Sequence, residues 1–305
     1  MRCARCGCCE AGCECDDNPV PFNDEELTAA ESVPLTDEIF LQALRLGTQA
    51  LSEFGEAVMV PVLSSQLGLT DRESAIGMTF YRLLAAVRTL SDLRQTYQLQ
   101  AMAGQTRTIF ELCVDINLLA GNRIADGVEN FHGFTRAARF SAAYKTVAFS
   151  KRHPELEDPG DAEERRKLVE TPGKQQEIET LCQKLWTLHK APEHWSGLRW
   201  SQQLELLDPE IEESYSHWSQ LQAWLAHGGG AGVGGLSPRA FISIEVICRK
   251  TVKMLIPETY RLVAVEMHMH RALPNFFDEL HRVKDRVEVY AAIDAKLQSL
   301  GRPAS

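Results

Sequence analysis

From Thr36 onward, apolar residues recur at helical spacing almost without a break, and no stretch alternates with period two long enough to make a strand. That pattern restricts the chain to helices packed on helices. The expected architecture is all-α: a multi-helix bundle over residues 34–305, one domain, preceded by a disordered Cys-rich tail over residues 1–33. Start and stop signals divide the bundle. Thr36-Asp37-Glu38 is a capped start, and Thr70-Asp71-Arg72-Glu73 is a capping box, in which hydroxyl and carboxylate each satisfy an orphan amide. A helix over Leu99–Ala120 meets the stop signal Gly121-Asn122. Thr171-Pro172-Gly173 breaks a charged helix, and Asp208-Pro209-Glu210 opens one that reaches His227. Six glycines crowd positions 228–235, Ser237-Pro238 restarts the helix, and a last one runs over residues 275–300. Pro61 and Pro257 are expected kinks.

Charge narrows the function. Lys and Arg number 32 against 42 Asp and Glu, a net charge of -10, which disfavours a non-specific nucleic-acid coat while leaving room for a local basic site. No apolar run approaches the roughly 20 residues of a bilayer span. The start has no basic-then-apolar leader, so a cytoplasmic, membrane-free protein is expected.

Six of the nine cysteines fall in the first fifteen residues. Cys3 and Cys6 form a CxxC, and Cys13 and Cys15 a CxC, so four thiolates could share one tetrahedral zinc. The pairs are more crowded than in zinc ribbons. A tail that binds metal opportunistically and an incidental upstream extension are the other two readings. Cys113, Cys182 and Cys248 sit in apolar helical patterns and read as small buried hydrophobes.

Two segments carry chemistry. In the first, the 99–120 helix is apolar nearly all round, as a central helix is, yet Arg107, Glu111 and Asp115 repeat every four residues along one stripe. The stripe is either a solvent-facing edge with a routine ion pair, or the lining of an interior cleft in which Arg107 needs an anion. In the second, all five tryptophans lie between Trp186 and Trp224, with His189, His194, His217 and His227 in or beside that stretch. His217, Trp224 and His227 share a helical face. His227 closes that helix, where the dipole favours its charged form, and the glycines that follow allow close backbone approach. Aromatic packing is the plainer account of the tryptophans. Gly230, Gly232 and Gly235 match GxGxxG only formally, because a helix and not a strand precedes them.

Arg107-Thr108-Ile109-Phe110-Glu111 resembles the R-[ST]-hydrophobic-[FLI]-E signature of a widespread all-helical family classed as a domain of unknown function. That family tends to carry a Tyr, a Ser and then a His followed by small residues on a later helix. Tyr215 and His227-Gly228 fit the pattern, whereas Ala223 stands at the aligned Ser position and Ser219 lies further upstream. The resemblance covers about residues 70–270. It implies that Arg107, Glu111, Tyr215 and His227 meet in one cleft, and it brings no established reaction.

The leading expectation is a binding or regulatory module with an Arg/Glu/His-lined cleft for a small or peptidic anionic ligand, or a protein partner. Its binding residues would be Arg107, Glu111, Asp115, Tyr215, His217, Trp224 and His227. The alternative is a metal-independent ribonuclease similar to HEPN toxin and antiphage domains. There Arg261 and His268, six residues between them on one helix, would be catalytic and RNA the substrate. A metal-dependent hydrolase using Glu111, Asp115 and His227 is a second alternative.

Overall fold

The computed structural model describes residues 22–156, 159–207, 209, 211–213 and 238–301. Within them the secondary structure is helical throughout, with no strand. In chain order the helices are α1 (Asp24–Ser32), α2 (Asp37–Phe54), α3 (Val60–Ser65), α4 (Asp71–Asp92), α5 (Leu99–Ala120), α6 (Gly127–Arg152), α7 (Pro159–Glu170), α8 (Lys174–Trp186), α9 (Trp200–Leu204), α10 (Pro238–Glu266), α11 (Met269–Ala272), α12 (Phe276–Asp285) and α13 (Ala291–Ser299). None is long and apolar enough to cross a membrane. The four candidate zinc ligands, Cys3, Cys6, Cys13 and Cys15, lie outside the described residues, as do Tyr215, His217, Trp224 and His227.

Local signals place most boundaries. The Thr36 hydroxyl accepts the Ile39 N–H, and Thr70 and Glu73 form the expected capping box. The helix that ends at Gly121 begins at Leu99, as its pattern requires. The structure departs from this pattern at several points. Part of the expected tail is ordered: α1 opens with a capping box between Asn23 and Glu26, and Phe22 and Ala30 bury against Leu297 at the far end of the chain. The last helix is divided by a π turn at Arg286–Tyr290, and a second π turn at Gly55–Met59, not Pro61, separates α2 from α3. Pro257 lies inside α10, which continues through it.

The core forms around α5. Its flanks pack on α4 and α10, while α2 lies against α10, α4 and α13. Ile109, Val114, Ile116, Phe80, Val252 and Ile256 are inaccessible to solvent. Cys113 and Cys248 belong to this core, and burial pushes their thiols up to about 12 and about 11. Helices α7 and α8 pack on α6 over a smaller core of Ala137, Phe140, Ile178 and Cys182.

A buried side chain is seated just before the π turn after α2. The Tyr260 hydroxyl, fully buried on α10, donates at 2.9 Å to the Leu51 carbonyl, which also accepts the Gly55 N–H. Gly55 makes room for it: a Cβ there would stand 2.5 Å from Leu84 Cδ1 and 2.8 Å from Tyr260 Oη.

A buried charge cluster fixes α10 against α2 and the end of α4. Glu245 and Arg249 on α10 have no exposed surface. Arg45 of α2 grips both Glu245 oxygens at 2.8 Å. Arg249 Nε donates to Glu245 Oε1 at 2.7 Å, and its Nη2 donates to the Leu93 carbonyl at 2.6 Å. Burial raises the Glu245 carboxyl, but the Arg45 hydrogen bonds and the Arg249 charge outweigh it, so the group is held below its ordinary value. Burial also opposes charge on Arg249. One shared carboxylate does not fully offset that, so its guanidinium lies below its ordinary value, though still protonated at neutral pH.

This cluster makes a quantitative prediction. Glu245→Gln leaves two guanidiniums without a counter-charge and should cost about 3–5 kcal/mol in urea melts at neutral pH. Because the folded-state value of Glu245 is depressed, its stabilisation is present above the ordinary carboxylate range and is lost as pH falls through the folded value. The gap between wild type and variant should therefore narrow in acid. A variant as stable as wild type at neutral pH contradicts this role.

Candidate functional site

The α5 stripe is divided in two. Arg107 and Glu111 pair at 2.6 Å, with side chains 54% and 43% exposed, on an edge and not in an interior cleft. Asp115, one turn on, is buried. Its Oδ1 accepts from His194 Nε2 at 2.8 Å and from Trp195 Nε1 at 2.6 Å. This carboxylate ties the irregular segment 187–199 to the central helix. The Ser196 N–H donates to His194 Nδ1 at 3.2 Å, which places the ring proton on Nε2, toward Asp115.

Ser196 Oγ lies 2.8 Å from His194 Nδ1, so Asp115, His194 and Ser196 have the composition of a nucleophilic triad. The surroundings are those of a tether. Ser196 is buried, its oxygen accepts the Leu198 N–H at 3.2 Å, and its position two residues from His194 closes a tight turn. Sequence reading grouped His194 with the aromatic segment but missed this link. The partners are 79 and 80 residues apart, and the only local signal was a cluster of donors without an acceptor.

The ribonuclease pair does not share a helix. α10 ends at Glu266, and His268 adopts a left-handed φ of 49° beyond it. Arg261 is an exposed α10 residue whose guanidinium is held by Glu258, the hydrogen bond and the carboxylate's charge raising it above its ordinary value. Among the described residues, no three His, Cys, Asp or Glu side chains gather as metal ligands. Glu111 and Asp115 are engaged by Arg107 and by the 194–195 pair, and His227 lies outside the described residues.

His268 belongs instead to a different constellation. An open hollow of about 430 Å³ is lined by Gln66, Leu67 and Leu69 from the α3–α4 loop, Glu73 of α4, and His268 and Arg271 around α11. Each group is placed by a helix end. Gln66 ends α3, and its Nε2 donates to the Met267 carbonyl at 2.5 Å, joining the loop to the end of α10. Gln66 Oε1 is buried and has no hydrogen-bond partner among the described residues. Arg72, beside Glu73, bonds Glu266 at 2.9 Å and also the Ala120 carbonyl, so one guanidinium holds three helix ends together.

The Thr70 hydroxyl and then its N–H hold the Glu73 carboxyl below its ordinary value, against slight burial, and the nearby charges of His268 and Arg271 add to the effect. The Arg271 N–H donates to the His268 carbonyl at 2.9 Å, and among the described residues its guanidinium has neither a hydrogen bond nor an ion pair. The hollow therefore holds a cation with no partner, an imidazole on strained backbone, a partnerless acceptor and two loop leucines, Leu67 being 94% exposed.

A larger cleft, about 680 Å³, runs past Asp71, Asp126, Glu129, His132 and Arg136. Two of its charges are paired, Arg136 with Glu177 and Glu129 with Lys184, and His132 Nε2 lies 3.3 Å from the Asp71 carbonyl oxygen. Of the residues around the smaller hollow, sequence reading had singled out His268 for another role and Glu73 as a cap. The missed signal was Leu67-Gly68-Leu69, apolar residues in a loop with no periodic partner.

Neither a scan against protein-family models nor searches of curated proteins and of solved structures found a match. The resemblance to the domain-of-unknown-function family thus rests on its motif residues alone.

The contrast between the two halves of the stripe is measurable. Arg107→Ala should cost under about 1 kcal/mol in urea melts, the range of an exposed pair. Asp115→Ala removes the acceptor from two donors and should cost about 2–4 kcal/mol. Equal costs would contradict the division of α5 into an exposed pair and an inward tether.

Proposed function

We propose that this protein is a binding module for an anionic ligand, held in the hollow between the α3–α4 loop and α11. The observation that carries the reading is Arg271: a guanidinium lining a cavity of ligand-binding size, to which no carboxylate or carbonyl is bound among the described residues. His268 stands beside it as a second donor. Its left-handed backbone costs free energy that a purely structural residue, such as glycine, would avoid at this position. Glu73 offsets part of the local positive charge. Its carboxylate is committed to Thr70, so it is fixed and not free to close over Arg271.

The set Arg271, His268 and Glu73 repeats the residue types, though none of the residues, of the cleft expected from the sequence, which was assigned to Arg107, Glu111 and His227. The ribonuclease alternative draws less support, since Arg261 is occupied by Glu258 and lies on a helix that stops before His268.

Thermal melts with acetate or inorganic phosphate, at constant ionic strength against chloride, test this reading. A ligand at ten times its Kd should stabilise the wild type by about 1.4 kcal/mol. Arg271→Met should melt within about 0.5 kcal/mol of the wild type without anion, because among the described residues the exposed guanidinium makes no hydrogen bond or ion pair, and should lose the anion-dependent gain. The same gain in variant and wild type would refute the assignment.

A further inference from the structure

We infer that α7 is a strap, a helix held on α6 mainly by charge, which lifts and melts as salt screens those charges while α6 and α8 stay in place. None of its residues belongs to the hollow, so the inference stands apart from the anion reading.

The sequence of α7 explains why the helix needs an outside hold. Seven of its twelve residues are charged. Past the first turn its apolar residues are Leu168 and Val169, and two neighbours in sequence cannot build an apolar face. No side chain from residue 162 to 170 is buried, and these two are half-buried. A helix of this length is marginal in water by itself. The Glu163–Lys167 pair, at 2.7 Å, supports the helix internally but does not dock it. Helical continuity with α8 does not hold it either, because Thr171-Pro172-Gly173 intervenes, with Gly173 at a left-handed φ of 78°.

What docks α7 crosses from α6. Among the described residues two ion pairs do so, near the two ends of the strap: Arg139 meets Glu164 at 2.6 Å, and Lys151 meets Glu170 at 3.0 Å. All four side chains are at least half exposed, so their attraction is open to screening. Between the pairs the helices do not close on each other. A gap of about 300 Å³ remains, lined by Ala142, Ala143 and Thr146 of α6 and by Arg165 and Leu168 of α7.

Helix α8 packs on the same α6 in a different way. Ile178 and Cys182 are buried with Ala137 and Phe140, and Gly133 leaves room for Leu185. The Trp186 indole N–H donates to the Trp195 carbonyl at 2.9 Å, which joins α8 to the segment tethered by Asp115. Its pairs with α6, Arg136–Glu177 and Glu129–Lys184, add to an apolar hold that salt does not weaken. Few buried apolar contacts and an exposed polar surface are the marks of a segment that opens locally, and α7 alone of the two has them.

Native-state hydrogen exchange of the full chain, read amide by amide, tests this. Raising sodium chloride from about 0.05 to about 1 M shortens the screening length to roughly 3 Å. The amides of residues 164–170 should then exchange at least about threefold faster, while those of residues 178–182 keep their rates. The double variant Arg139→Gln/Lys151→Gln leaves the α7 sequence untouched. It should exchange fast in α7 already at low salt and lose the salt response. Exchange in α7 that ignores salt, acceleration shared equally by α8, or an undiminished salt response in the double variant each overturns the inference.

Discussion

Two guanidiniums share one carboxylate inside this protein, and the placing of three helices follows from it. Glu245 is reached by Arg45 from α2 and by Arg249 from its own helix, while Arg249 also captures the carbonyl of Leu93 just past α4. Apolar contacts among α2, α5 and α10 would tolerate sliding by a turn, because leucine, isoleucine and valine faces resemble one another. The charges do not tolerate it, since any other register buries an uncompensated guanidinium or carboxylate. Even in the native register the balance is incomplete. Arg249 Nη1 is buried without a partner, so the cluster specifies position more than it adds stability.

With α10 fixed at its first half, its far end is also located. Tyr260 seats on the Leu51 carbonyl at the π turn of α2, and six residues later the helix stops. Arg72 then gathers that end with the start of α4 and the end of α5, and Gln66 draws in the α3–α4 loop. The hollow is what remains between helix ends whose backbone groups are largely satisfied. Two of its groups have no partner among the described residues, the exposed Arg271 guanidinium and the buried Gln66 Oε1.

Local chemistry made much of this legible from the residues alone. Caps at Thr36 and Thr70, the stop at Gly121 and the all-round apolar surface of α5 each depend on neighbours within a few positions, and each is found where the pattern put it. The features that escaped depend on distant partners. Nothing near Phe22 announces Leu297, nothing near Gly55 announces Tyr260, and nothing near Asp115 announces the His194–Trp195 donors. The stripe of Arg107, Glu111 and Asp115 shows the limit most clearly. Four-residue spacing places all three along one side, but helical drift of about 40° per step is enough to leave two in solvent and carry the third inward. His268 was singled out for a helical spacing that ends two residues before it, and its placement at the hollow depends on where α10 stops.

The central claim is that ligand binding belongs to the hollow at the end of α10 and not to the Arg107 edge of α5. The most direct measurement is a methyl- and amide-detected NMR titration of the full chain with acetate and inorganic phosphate at constant ionic strength. The account predicts saturable shifts confined to the Leu67 and Leu69 methyls, the Gln66 side-chain amide and the backbone amides from His268 to Arg271. Shifts centred on residues around Arg107 and Glu111, with the hollow silent, would contradict it.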